Sequence, residues 1–183
     1  GRLLGYGKLR PFEQATLSFG YGLSVSALQL AQAYTALANE GEMLRARLIR
    51  DEYIEPAVRV MSADTARTVR QMLEQVVSEG TATNAAVRGF RVSGKTGTVR
   101  KVGEGGYSND RHLAIFAGIA PASRPRIVMV VVVDEPGESE YYGSLVAAPV
   151  FSRVTGSVLR LLGIQPDREQ SMSLVRVTQD GSI

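Results

Sequence analysis

The sequence predicts an α+β domain in which helices pack on the faces of an antiparallel sheet. Two observations carry this. Helical periodicity comes first, a run of strand-like segments follows, and one last helix closes the series. One link between strand segments, Pro121 to Pro125, is too short for a crossover, so those neighbours run antiparallel. The 183 residues, 44% hydrophobic and 21% charged, suffice for one apolar core and are neither disordered nor fibrous in character.

Taken in order, residues 1 to 23 hold several glycines and a proline but little period. They read as an irregular segment entering a turn at Phe19-Gly20-Tyr21-Gly22. A helix follows, capped by Ser24 or Ser26, with Leu28, Leu30, Ala31, Tyr34, Leu37 and Ala38 as its stripe. Asn39-Glu40-Gly41 ends it. Leu44 to Tyr53 has room for a short strand. Ser62 caps a second helix whose stripe is Ala66, Val69, Met72, Leu73, Val76 and Val77, and Gly80 closes it. Thr81 to Ala86 is a polar loop.

Three strands are expected at Phe90–Val99, Leu113–Ala120 and Arg126–Val133, with a long Gly-rich link from Lys101 to Arg111. The Val-rich third strand reads as buried on both faces. The last helix, from about Ala147 to Leu162, carries Val150, Val154, Val158, Leu161 and Leu162 as a core stripe. Residues 165–183 are polar and aperiodic and read as a frayed tail. The division expected is therefore 1–164 as domain and 165–183 as tail.

Bulk chemistry excludes several functions. A net charge of +3, with no basic run interleaved with aromatics, argues against nucleic acid. Without cysteine there is no disulfide and no thiolate metal site. The single histidine, His112, rules out a multi-histidine zinc site and reads as a surface residue between charge and loop. Gly1-Arg2-Leu3-Leu4-Gly5 is not a signal-peptide start, and the longest apolar run, Ile127 to Val133, is strand-sized. Any anchor or export segment of a parent protein is expected outside this chain.

The chemistry centres on Ser93-Gly94-Lys95-Thr96-Gly97-Thr98, within the first strand. A strand interior rarely accepts Lys, Gly and two Thr together. Lys95 is a fixed cation. Thr96 and Thr98 lie two apart, so the pleat turns both hydroxyls to one face. Gly97 permits close approach of another backbone. Together they suit a carboxylate docked along the strand edge, with the Thr98 N–H free to serve an oxyanion. The bland reading stands beside this one: an exposed edge strand guarded by a lysine.

Lys-Thr-Gly is also a signature of β-lactamases and penicillin-binding proteins. The rest of the chain narrows the branch. Phe19-Gly20-Tyr21-Gly22-Leu23-Ser24-Val25, Leu28-Gln29-Leu30-Ala31-Gln32-Ala33-Tyr34, and Lys95-Thr96-Gly97-Thr98 with Arg100-Lys101 come first. Ala120-Pro121-Ala122 with Pro125-Arg126, Asp134-Glu135-Pro136, Tyr141-Tyr142-Gly143 and Ala147-Ala148-Pro149-Val150-Phe151 follow. In this order, from about residue 16 to 167, the series resembles the high-molecular-weight class B penicillin-binding proteins, closest to their cell-division branch. Two departures stand out. Ser144 occupies a position where the family usually has a second Gly. No Ser here has Lys three residues later, and no Ser-x-Asn precedes Lys95; Tyr107-Ser108-Asn109 follows Lys-Thr-Gly and reads as a coincidence.

The resemblance implies the penicillin-binding transpeptidase (β-lactamase-like) fold, incomplete in this chain, whose missing upstream part carries Ser-x-x-Lys and Ser-x-Asn. It implies a peptidoglycan D,D-transpeptidase of the division septum, cross-linking stem peptides through an acyl-serine and acylated by β-lactams. Lys95, Thr96, Gly97 and Thr98 would be its catalytic strand, and Thr96, Thr98, Tyr141, Tyr142 and Gly143 would touch substrate. No metal or cofactor is implied. Divisome membrane proteins are the expected partners, and the periplasmic face of the inner membrane the expected location. Two rivals remain open: a β-lactamase or D,D-carboxypeptidase using water as acceptor, and a non-catalytic domain that binds wall peptide or partners.

Overall fold

The computed structural model describes residues 10–18, 20, 22–49, 55–103, 106–137 and 140–168, with backbone alone at 102–103 and 106–109. The first element corrects the reading of an irregular start: Pro11–Leu17 is a short helix, α1. Pro11 presets φ for the first turn, and Glu13 accepts a hydrogen bond from the Arg10 N–H at 2.8 Å. A helix this short has no room to display an apolar period. In the turn that follows, Phe19 and Tyr21 lie outside the described residues, while Gly20 and Gly22 take φ of 96° and 88°.

Helix α2 spans Ala27–Ala38. Ser26 supplies its cap: the hydroxyl accepts from Gln29 N–H at 3.2 Å, and the Gln29 side chain accepts from Ser26 N–H at 2.9 Å. The strand expected over 44–53 is displaced. A two-residue pair, β1 (Glu42–Met43) with β2 (Val58–Arg59), forms instead. Residues 44–49 are irregular, and 50–54 lie outside the described residues. Thr35 Oγ1 accepts from Leu44 N–H at 2.8 Å and draws the chain back onto α2, while Arg59 pairs with Glu42 at 2.7 Å.

Helix α3, Ala63–Ser78, is capped by Ser62, which accepts from Thr65 N–H at 3.1 Å. Its buried face differs from the expected stripe: Ala66 and Val77 are buried, Met72 is exposed, and Arg70 is buried. The Arg70 guanidinium donates to Leu37 O at 2.8 Å and meets Glu40 at 3.2 Å, fastening α3 to the end of α2. A buried arginine is tolerable only when paired in this way. The polar loop at 81–86 contains a 3₁₀ turn, Thr83–Ala85.

The sheet has the order β3 (Ser93–Gly103), β4 (Gly106–Ala120), β5 (Ile127–Asp134), all antiparallel. Within the link expected at 101–111, residues 101–103 and 106–111 are strand, and 104–105 lie outside the described residues. Pairing runs on through Val102↔Tyr107 and Gly103↔Gly106, past an irregularity between Arg100 and Val102. Strand β5 is an edge among the described residues. It is half-buried and exposes Val132, so the expectation of burial on both faces does not hold.

Helix α4 runs Gly143–Leu161, beginning before the expected Ala147. Pro149 favours a helix start just before it, but here it lies inside the helix. The stripe is rotated as well. Ala147, Ala148, Phe151, Thr155, Gly156 and Leu159 are buried, whereas Val154, Leu161 and Leu162 are exposed. The cause is close helix–sheet contact. A Cβ on Gly118 would lie 2.7 Å from Phe151 and from Phe116, and one on Gly94 would collide with the Phe116 ring. The two phenyl rings fill the space those glycines leave, meeting edge to face at 4.8 Å. With Val77, Phe90, Val92 and Leu159 they form the main core.

Residues 93 and 96 have opposite parity and so face opposite sides of the sheet. Thr96 shares its side with its partner Phe116 and hence with α4. Ser93 is fully buried on the other side, where its hydroxyl donates to Arg70 O of α3 at 2.8 Å. Helices therefore cover both faces of β3. Past α4 the chain returns to the β3 entry, where Asp167 accepts from Arg91 N–H at 2.8 Å and the N–H groups of Asp167 and Arg168 reach Gly89 O.

Candidate active site

The Lys95-Thr96-Gly97-Thr98 segment lies on β3, whose outer edge has no strand partner among the described residues. Backbone donors and acceptors along that edge are left to a ligand or to solvent. Lys95 is exposed, and its Nζ donates to Thr96 O at 3.0 Å. Thr96 and Gly97 are half-buried and Thr98 is exposed.

The glycines divide into two kinds. A Cβ on Gly97 would meet only Ile115 Cβ, at an ordinary 3.7 Å. This chain's own packing therefore does not demand glycine there. Gly143 is different: a Cβ would press into the Ile115 carbonyl oxygen and lie 2.7 Å from Gly97 O. The start of α4 thus rests directly on the β3 and β4 backbones. Gly143 N–H donates to Thr98 Oγ1 at 3.3 Å, joining the Tyr-Tyr-Gly segment to the Lys-Thr-Gly-Thr strand. Two motifs far apart in sequence become one wall. Lys95 has the opposite parity to Thr96 and Thr98 and so projects from the other side of the same strand.

Tyr141 and Tyr142 flank this contact. Their rings are tilted at 4.6 Å, and Tyr141 OH donates to Tyr142 OH at 3.4 Å. That hydrogen bond raises the Tyr141 phenol above its ordinary pKa, with Arg100 pulling the other way. Tyr142 is 52% exposed. The surface reading of His112 is overturned. It is only 8% exposed and stacks on Tyr141, centroids 4.2 Å apart and 16° from parallel. Its sequence neighbours Asp110 and Arg111 are exposed, which is why the sequence context misled; in the structure it lies opposite Arg100 of β3.

Glu135 is exposed but tied. At φ 49° its N–H donates to His112 O at 2.9 Å, and its carboxylate meets Lys101 at 2.7 Å. Lys101 also meets Asp134 at 2.9 Å, and these two carboxylates, Asp134 foremost, hold its ammonium above the usual lysine pKa. The clasp fixes the far end of the β3–β4–β5 wall. Thr81 and Thr83 are exposed in the loop beside α3. Tyr107, Ser108 and Asn109 are strand residues in the β3–β4 hairpin, and only their backbone is described.

Such a wall suits an anion held by two hydroxyls beside a fixed cation. We expect Thr96→Val and Thr98→Val, in a complete domain, to weaken carboxylate-bearing ligands by about tenfold each. This is the lower end for a charge-assisted hydrogen bond, because the hydroxyls are partly solvated. Neutral ester analogues should change little. Equal losses on acid and ester, measured as acylation rate constants, would make the threonines structural.

Comparison with known proteins identifies the family. Residues 5–156 match the family profile described as "Penicillin binding protein transpeptidase domain". The chain is 43% identical over 177 residues to the probable peptidoglycan D,D-transpeptidase PenA of Neisseria meningitidis, covering 96% of this chain and 30% of that protein. It is 42% identical over 156 residues to peptidoglycan D,D-transpeptidase FtsI of Escherichia coli K12, covering 85% of this chain and 26% of that one. Among solved structures, the apo transpeptidase domain of penicillin-binding protein 3 from Burkholderia pseudomallei superposes with a TM-score of 0.84. The identity is 48%, over 92% of this chain and 52% of that one. The chain thus spans under a third of these two relatives and about half of that solved domain. With the profile covering most of the chain and the fold in agreement, the chain belongs to the penicillin-binding protein transpeptidase domain family.

Proposed function

We propose that this chain forms the strand wall of a serine-type peptidoglycan D,D-transpeptidase, completed by an upstream part of the same domain that supplies the Ser-x-x-Lys and Ser-x-Asn motifs. The observation that carries the reading is the Thr98–Gly143 hydrogen bond, which unites the Lys-Thr-Gly-Thr edge with the tyrosine segment. The serine Oγ attacks the carbonyl of the penultimate D-Ala of a stem peptide. The peptide bond breaks, terminal D-Ala leaves with a proton on its amine, and an acyl-serine remains. A neighbouring stem-peptide amine then attacks that ester, forms the cross-link and returns the proton to the serine.

In this scheme Thr96 and Thr98 hold the terminal carboxylate of the donor. Lys95 favours that anion and organises protons near the serine. The Thr98 N–H contributes to the oxyanion hole, Gly97 lets the donor backbone lie close, and the tyrosines border the groove. The septal site, the periplasmic face of the inner membrane and divisome membrane partners belong to the same proposal. No helix among the described residues is long and apolar enough to cross a membrane.

The test compares lengths of chain. Residues 1–183 expressed alone should take no covalent label from a fluorescent penicillin, because no Ser here has Lys three residues on to activate it. The domain extended upstream should label on one serine and turn the drug over slowly. A labelled serine within residues 1–183, located by peptide mass mapping, would overturn the reading. Rapid multiple turnover of a chromogenic β-lactam by the extended domain would favour a hydrolase.

A further inference from the structure

The one histidine of the chain is a buried ring inside the aromatic cluster, and neither the acylation scheme nor the motifs assign it a task. The contacts around it form a continuous series. Lys101 bridges Asp134 and Glu135. Glu135 N–H donates to His112 O. The imidazole lies flat on Tyr141, which is tilted against Tyr142. Tyr142 is the residue just before α4, and the next N–H, that of Gly143, donates to Thr98 Oγ1. Each link fixes the next. Tyr141 and Tyr142 precede α4 in irregular backbone, and Tyr142 makes no side-chain cap on the helix. The backbone alone leaves their ring angles loosely set. The stacking surface that sets them belongs to β4, the rigid centre of the sheet.

We propose that His112 is a positioning residue: its flat imidazole orients the Tyr141–Tyr142 pair beside Thr98 and so governs capture of the acyl donor, without taking part in the chemical step. The proposal rests on the transpeptidase reading of the same wall. It requires a planar ring at position 112, not a proton donor, since the contact is face to face. The effect belongs to the ligand-bound complex before acylation, because no hydrogen bond joins the imidazole to Lys95 or Thr98 among the described residues.

The experiment uses the complete transpeptidase domain, upstream part included, and benzylpenicillin in stopped flow, which separates the pre-covalent Kd from the first-order acylation rate. In His112→Leu, Kd should rise about fivefold, the size an aromatic pair of this kind carries, with the acylation rate within about twofold. His112→Phe should restore Kd. Tyr141→Leu should match His112→Leu, and the double variant should be no worse than either. A loss confined to the acylation rate, an unchanged Kd in His112→Leu, or a His112→Phe variant as impaired as His112→Leu would each overturn the proposal. An NMR readout keeps it testable if the wild-type domain takes no penicillin, or if His112→Leu fails to fold. The His112 Hε1 resonance, assigned with His112→Phe, should sit upfield in the wild type and move downfield in Tyr141→Leu. No such movement would mean the stack is absent in solution. Failure of the transpeptidase reading shows instead as absent acylation in the wild type.

Discussion

Replacing Lys95 by Ala in the complete domain should slow acylation by penicillin ~10²–10⁴-fold, the range for removing a group that organises proton transfer. The same change should leave stability within about 0.5 kcal/mol, the usual range for a surface substitution. The local geometry supports both halves of this expectation. Lys95 is exposed, and among the described residues its Nζ has one hydrogen bond, to Thr96 O at 3.0 Å. It has no carboxylate partner among the described residues, in contrast to Lys101, which holds two. Removing it therefore orphans no buried acid and opens no cavity. An ammonium so placed stabilises little of the fold. Stopped-flow acylation and thermal melting of the same preparation check the two halves. Acylation at the wild-type rate would remove Lys95 from the mechanism. A melting point lowered by many degrees would turn it into a structural residue.

The fold class and the unusual composition of the Lys-Thr-Gly-Thr strand were legible because they rest on signals written in consecutive residues. Ser26 and Ser62 announce their helices through the donors they cap. The Lys-Thr-Gly-Thr edge stands out because those residue types do not belong in a strand interior. The failures share a different cause. The α4 stripe was read from Val150, Val154, Val158, Leu161 and Leu162, yet Ala147, Ala148, Phe151, Thr155, Gly156 and Leu159 are the buried residues. What turns the helix is the match between Phe151 and the glycine groove at Gly118, a property of two distant segments. The β3–β4 hairpin was missed because its pairing past Arg100 is held by register, not by alternating hydrophobicity. His112 was misjudged because its charged neighbours said nothing of Tyr141, which approaches from the α4 side of the chain. A buried ring contact between residues 29 positions apart leaves no trace in either local sequence.

Gly143→Val should destabilise the complete domain by about 3 kcal/mol, the upper part of the range for forcing extra atoms into a close-packed site, and should abolish rapid acylation. The argument is geometric. Gly143 carries no unusual φ among the described glycines, so backbone strain is not the reason for glycine. Contact is: even a single Cβ here presses on Ile115 O and sits 2.7 Å from Gly97 O. Both are backbone atoms in paired strands, and neither can rotate aside. The α4 N-terminus must lift from the sheet, which breaks the Gly143–Thr98 hydrogen bond and carries Tyr142 away with it. Gly97→Ala is the matched control. Its Cβ meets only Ile115 Cβ at 3.7 Å, so the fold should be nearly indifferent, with a melting point close to wild type. If donor backbone lies against Gly97, that variant should nevertheless acylate slowly. Thermal denaturation and penicillin acylation of the two variants therefore give opposite patterns: one unstable and inactive, the other stable and slow. A stable, fully active Gly143→Val domain would show that α4 does not seat on the β3–β4 backbone in solution. A Gly97→Ala domain at the wild-type rate would show that nothing approaches that glycine.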